Sequence, residues 1–151
     1  MARFNFRLQS VLNLKSRLEE QQRMNFARAR QRLDEEEQKL AGLYDRKAFY
    51  EDAGRTMRTK VLVVRDILGN EDSIVTIKEY IREQEDNVKK AEEALEAERL
   101  KLVEAMKERK TYERLRERAF EEFMAEEAHA EAVENDEHNS FVYGQKQVEV
   151  M

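Results

Sequence analysis

Hydrophobic residues recur every seventh position through the second half of the chain, at Ile74, Ile81, Val88, Leu95 and Leu102. Taken as heptad position a, they place position d on Ile77, Gln84, Ala91, Glu98, Ala105 and Tyr112, and a continues through Arg109 and Arg116 to Phe123. Apolar a and d residues at this period form one narrow stripe on a helix, which must bury itself against a second helix. Gln84, Glu98, Arg109 and Arg116 interrupt the stripe; polar residues at such positions weaken packing while fixing register or leaving the helix open to a partner. The first half carries a matching stripe at Val11, Leu14, Leu18, Phe26, Ala29, Leu33, Leu40 and Leu43, continuing through Tyr50 and Met57 to Val61, Val64, Ile67 and Leu68. The step from Leu18 to Phe26 exceeds a heptad by one residue, which predicts a local relaxation of the supercoil around Gln22.

Between the stripes, Gly69-Asn70-Glu71-Asp72-Ser73 has turn chemistry: Gly69 suits the position that ends a helix, and Asp72 or Ser73 can cap the next one before Ile74. The expected architecture is therefore all-α, a long two-helix antiparallel coiled-coil hairpin. Its first helix covers about residues 5–68, its turn 69–73 and its second helix about 74–138. Residues 1–140 form a single domain and 141–151 a flexible tail. A turn there pairs residues whose numbers sum to about 142, setting Leu40 against Leu102, Leu33 against Arg109, Phe26 against Arg116 and Leu18 near Phe123. Gly42 and Gly54 each cost a helix interior about 1 kcal/mol relative to Ala, so bending or fraying is expected at both.

Composition sharpens this reading. Charged residues make up 40% of the 151, Pro is absent and Gly occurs four times, which leaves little material for tight β-turns or glycine-rich phosphate loops. Without Trp or Cys there is neither a deep core nor a disulfide framework, so burial must come from the seam. No run approaches a membrane span, and Arg3, Arg7, Lys15, Arg17, Glu19 and Glu20 fall where a signal peptide would be apolar, so a soluble, cytoplasmic protein is expected. The formal charge of −5 argues against nucleic-acid binding. Charge is unevenly spread: residues 1–32 hold eight basic and two acidic side chains, whereas 119–139 hold eight acidic and no Lys or Arg. The predicted hairpin sets these two arms side by side, a pairing that selects orientation more than it stabilises.

No catalytic constellation emerges, so neither enzymatic activity nor a cofactor is expected. Glu126-x-x-His129 matches the spacing of two ligands on one helical face of a di-iron bundle, but such sites need a second Glu-x-x-His and further glutamates, and the other histidine is His138. A solvated helix face is the favoured reading. Arg28, Arg30 and Arg32 do not share a face, which weakens a phosphate-binding role. Tyr44, Tyr50 and Tyr80 flank the turn; a narrow seam does not readily bury all three, so they either wrap the apolar tip around Val61 to Leu68 or, as aromatic rings with polar tips, form a partner interface.

Phe4-x-Phe6-x-Leu8-x-x-Val11-Leu12, the Lys/Glu/Gln-rich first helix, Tyr112-Glu113-x-Leu115 and Asp136-Glu137-His138 together resemble the FliJ family of the bacterial flagellar type III export apparatus. The resemblance implies a coiled-coil hairpin similar to the stalk of the rotary ATPase γ subunit. It also implies a non-enzymatic component, cytoplasmic and peripherally associated with the inner membrane, with three partners: the export ATPase hexamer, the cytoplasmic domain of the export gate and export chaperones. By that resemblance the open end, with Phe4, Phe6, Leu8, Val11, Leu18, Phe120 and Phe123, enters the ATPase ring. The gate-contact pattern fits Leu40, Leu43 and Tyr50, with Tyr80 from the second helix. Arg46 stands where the pattern has a tyrosine, and Tyr44 lies two residues earlier on a different face.

Overall fold

The computed structural model describes residues 2–60 and 63–150, and side chains from 2 to 60 and 63 to 148. Helix α1 runs Gln9–Thr59 and helix α2 runs Val64–Val150; no strand occurs among the described residues. The two helices pack against each other as an antiparallel coiled-coil hairpin, the expected fold class. Uninterrupted helix over such lengths reflects the absence of Pro and the abundance of Glu, Lys, Arg, Ala and Leu. Helix α1 ends with the Thr59 hydroxyl donating to the Thr56 carbonyl at 2.8 Å, satisfying one of the acceptors left over at a helix C-terminus. Arg58 in that last turn favours the helix dipole and pairs with Glu71 at 3.0 Å, and the charge of Asp66 favours the dipole at the first turn of α2.

The reversal falls between Thr59 and Val64, earlier than the expected 69–73. No glycine has a positive φ, so Gly69 does not end a helix in the left-handed region; it lies inside α2. The hydroxyl of Ser73 donates back to the Gly69 carbonyl at 2.9 Å and that of Thr76 to the Asp72 carbonyl at 3.0 Å, bonds of a helix interior and not of a cap. Asn70 is buried, its amide donating to the Tyr50 carbonyl at 2.8 Å. Of the expected turn residues, Asn70 is thus recruited to the seam, while Gly69, Glu71 and Asp72 lie on the exposed side of α2. The break falls instead beside Val63 and Val64, β-branched residues with lower helix propensity; Val61 of the expected stripe lies outside the described residues. A direct check is Gly69→Ala. A Cβ there meets nothing within 4 Å, so the variant is expected to gain about 1 kcal/mol of stability in urea unfolding, whereas a helix-terminating glycine in the left-handed region would lose stability.

The chain divides into two compact units, Glu20–Glu104 and Met1–Glu19 with Ala105–Met151. In the first, the inward residues of α2 are those the heptad specified: Ile77, Ile81, Gln84 and Ala91 are buried, with Val88 and Leu95 half-buried. Opposite them stand Leu33, Glu36, Leu40 and Leu43. Three polar rungs cross this seam two heptads apart. Asn70 reaches the Tyr50 carbonyl; Gln84 donates to the Glu36 carbonyl at 2.8 Å and carboxylate at 2.6 Å; Gln22 donates to the Glu98 carbonyl at 3.4 Å and its carboxylate. Each pair of numbers sums to 120, not the expected 142, so the pairings of Leu40 with Leu102, Leu33 with Arg109 and Phe26 with Arg116 are replaced by these. A slip of one heptad would set the Gln84 amide against Ala29 or Leu43, which offer a backbone carbonyl but no carboxylate, so the charge-assisted bond to Glu36 would be lost. Near the reversal the helices approach closely because residue 54 is glycine: a Cβ there would lie 2.5 Å from Asn70 Oδ1. Gly54 is therefore a packing site, and helix α1 runs through both Gly42 and Gly54.

In the second unit, Lys15 pairs with Glu108 at 2.9 Å, Arg116 donates to Gln9 at 2.9 Å, and Arg109 holds Glu19 and Glu113 together. These contacts turn Leu12, Lys15 and Glu19 inward and leave Leu14 and Leu18 exposed, which corrects the expected stripe. Counted on the inward residues, α1 follows alternating steps of three and four from Leu12 through Glu19, Gln22 and Phe26 to Met57, without the extra residue near Gln22. The expected contact of Leu18 with Phe123 gives way to Phe4 against Phe120 and Phe123. The pairing of acidic and basic arms is not realised either: none of the eight carboxylates in 119–139 has an ion pair among the described residues, and 131–140 are exposed throughout. Residues 141–150, expected as tail, continue α2 to Val150.

The Glu36 carboxyl is held below the ordinary carboxylate range, first by its bond from Gln84 and further by Lys39 and Arg32. A group whose folded pKa is depressed stabilises above its unfolded pKa and loses that contribution as pH falls through the folded value. Acid titration is thus expected to weaken the seam below about pH 4.5, and Glu36→Gln should remove part of that dependence in urea melts collected across the acid range.

Candidate partner-binding surfaces

In the unit Glu20–Glu104 a groove of about 450 Å³ opens along the seam. Lys39, Gly42, Leu43 and Arg46 form its α1 wall, and Tyr80, Glu83, Gln84 and Asn87 its α2 wall. Both walls repeat the spacing of one helix face over two turns. Leu43 and Gln84 occupy inward seam positions and form the floor, while Arg46, Tyr80, Glu83 and Asn87 are exposed along the rim. Gly42 has no atom within 4 Å of the place a Cβ would take, which is why the wall dips there.

This groove gathers Leu43, Arg46 and Tyr80 of the predicted gate-contact residues. Leu40 is half-buried along the same seam. Tyr44 is exposed outside the groove, its hydroxyl donating to Glu85 at 2.6 Å; that bond holds the phenol above its ordinary pKa. Tyr50 is half-buried, its ring edge-on to Phe49 at 5.9 Å and its carbonyl taken by Asn70. Sequence reasoning missed Phe49, which is 70% exposed and the most open aromatic of this unit. Its signal was available: on the corrected heptad Lys47 and Tyr50 point inward, so Phe49 does not. It also missed Gly42 as an opening in the surface, having read it only as a helix weakness.

In the other unit, the ring of Phe4 meets Phe120 edge-on at 5.2 Å and Phe123 at 5.5 Å, and the Arg116 guanidinium lies over Phe4 at 5.5 Å from the ring centre. Phe6 is buried, and Leu8, Val11 and Phe123 are half-buried, so these four are less available to a partner. Phe120 and Leu18 face solvent and can meet a partner directly, joined by Leu14 and Leu115, which sequence reasoning did not place on an outer face. Glu126 and His129 sit on the exposed continuation of α2, and among the described residues no group of three or more His, Cys, Asp or Glu could hold a metal ion. No described helix is long and apolar enough to cross a membrane.

The described residues thus offer two open surfaces on a helical hairpin, and comparison with known proteins identifies the fold and the family. A solved structure described as a YscO homolog from Chlamydia trachomatis superposes with a TM-score of 0.61 over 96% of this chain and 98% of that one, at 20% identity, which shows a shared fold. No curated protein matches the chain. The family model of the flagellar FliJ protein matches residues 4–148, taking in both helices and the aromatic cluster around Phe4, and the chain therefore belongs to the FliJ family.

Proposed function

We propose that this protein is a non-enzymatic stalk and adaptor of the bacterial flagellar type III export apparatus. It engages the hexameric export ATPase through residues near Phe4 to Leu18 and Phe120 to Asp136. It contacts the cytoplasmic domain of the export gate through the surface around Leu43, Arg46 and Tyr80, and it handles export chaperones. In this role it is cytoplasmic and peripherally associated with the inner membrane. The observation that carries the reading is the FliJ match across nearly the whole chain. The shared groove of Leu43, Arg46 and Tyr80 supports the gate contact, because residues scattered over both helices converge on one face. The fold shared with the YscO homolog makes the corresponding stalk of a virulence secretion system the second reading.

Such a protein acts without bond chemistry. A hairpin inside a ring meets successive subunits with different side chains, and it shifts the ring toward whichever conformations it contacts best. The isolated chain is expected to hydrolyse no ATP and to raise the turnover of its cognate ATPase at concentrations where rings form. Equal phosphate release with and without it across that range would refute the proposal. Stimulation of a virulence-system ATPase in preference to the flagellar one would favour the second reading.

A further inference from the structure

Resting on the gate-contact reading, we infer that the groove receives a partner helix that seats one large apolar side chain over Gly42 and directs a carboxylate to Arg46. Three observations point to this occupant. The wall dips at Gly42 into open space, beside Leu43 and the exposed ring of Tyr80, which is the shape of a hole waiting for an apolar knob. Two antiparallel helices with parallel rims accept a third helix along the depression between them. Charge then selects the occupant. Lys39 is engaged by Glu36 at 3.7 Å, but Arg46 has no ion pair or hydrogen bond among the described residues. A guanidinium without a counter-ion on the rim of an interface favours a carboxylate on the partner, in bidentate geometry where the approach allows it. Glu83 on the facing wall repels a carboxylate from that side, so the acidic residue lies over α1 and the apolar knob falls between the walls.

Gly42 makes the test independent of folding. Its Cβ would meet nothing, so Gly42→Leu fills the depression while improving helix propensity. Binding of the purified cytoplasmic domain of the cognate export gate to the full-length protein is measured by titration calorimetry at several salt concentrations. Wild type is expected to bind with affinity that falls as salt rises. Gly42→Leu should melt at a higher temperature than wild type and bind about tenfold more weakly. Arg46→Glu should also bind about tenfold more weakly, with the salt dependence flattened or reversed. If wild type binds the export ATPase but not the gate domain, both the gate reading and this inference fall. If wild type binds the gate domain and Leu43→Ala weakens it, while Gly42→Leu and Arg46→Glu bind as wild type, the gate reading stands and the inference is overturned.

Discussion

Ile77→Ala is expected to lower the free energy of unfolding by about 2–3 kcal/mol, the largest loss from any single truncation in the seam. Ile77 is 3% exposed, less than any other apolar residue among those described. Removing a buried isoleucine side chain down to Cβ costs about 2–5 kcal/mol, from lost transfer energy and from the cavity left behind. Alanine returns a few tenths of a kcal/mol through its better helix propensity. A two-helix seam also closes over a gap more readily than a surrounded core does, which keeps the loss in the lower part of that range. In a chain of this size the change corresponds to a drop of about 5–10 °C in midpoint, read by circular dichroism at the helical band. Phe49→Ala provides the contrast: its side chain is 70% exposed, and its loss should stay within about 0.5 kcal/mol. Equal destabilisation by the two variants would mean that the seam is not where stability resides.

Phe120→Ala is expected to weaken association with the export ATPase about thirtyfold while leaving the helical signal intact. Truncating an interfacial aromatic that acts as an anchor costs about 2 kcal/mol, which corresponds to that factor. Phe120 both faces solvent and supports the ring of Phe4, so its removal strips a contact and loosens the leading segment at once. Phe4→Ala removes the second contribution while keeping the first, and should fall between wild type and Phe120→Ala. Unchanged binding in both variants, with stimulation of ATP hydrolysis preserved, would move the ATPase contact elsewhere on the molecule.

Much of α2 was legible because its inward residues are mostly apolar: Ile74, Ile77, Ile81, Val88, Leu95 and Leu102 keep strict heptad spacing and all turn toward the seam. In α1 the same reasoning slipped. Glu19 and Gln22 are polar yet inward, while Leu14 and Leu18 are apolar yet outward, so hydrophobicity alone pointed to the wrong face over that stretch. The error propagated into an apparent eight-residue step that the helix does not contain. Gln84 and Glu98 were identified as interruptions able to fix register, and the partners that give this force, Glu36 and Gln22, lie in the other helix, where no local pattern identifies them. The candidate gate surface was half legible. Leu43, Arg46 and Tyr80 converge on one groove, whereas Tyr44 lies on another face of α1 and Tyr50, though on the same inward stripe as Leu43, sits about two turns further along the helix.

By itself the sequence determined that this chain is helical, that its helices pair through a narrow heptad seam, and which face of α2 enters that seam. Those properties follow from composition and from local periodicity, which act within a few turns of one helix. Only the tertiary structure decided where the chain reverses and which residues meet. Two features of the pairing account for this: the close approach that Gly54 permits to Asn70, and the rungs joining Gln84 to Glu36 and Gln22 to Glu98. A residue such as Asn70 has the same local preferences in a turn as elsewhere in the chain. In this alignment its side chain lies against Gly54, where a Cβ would leave no room for it, and its amide donates to a backbone carbonyl twenty residues away in sequence.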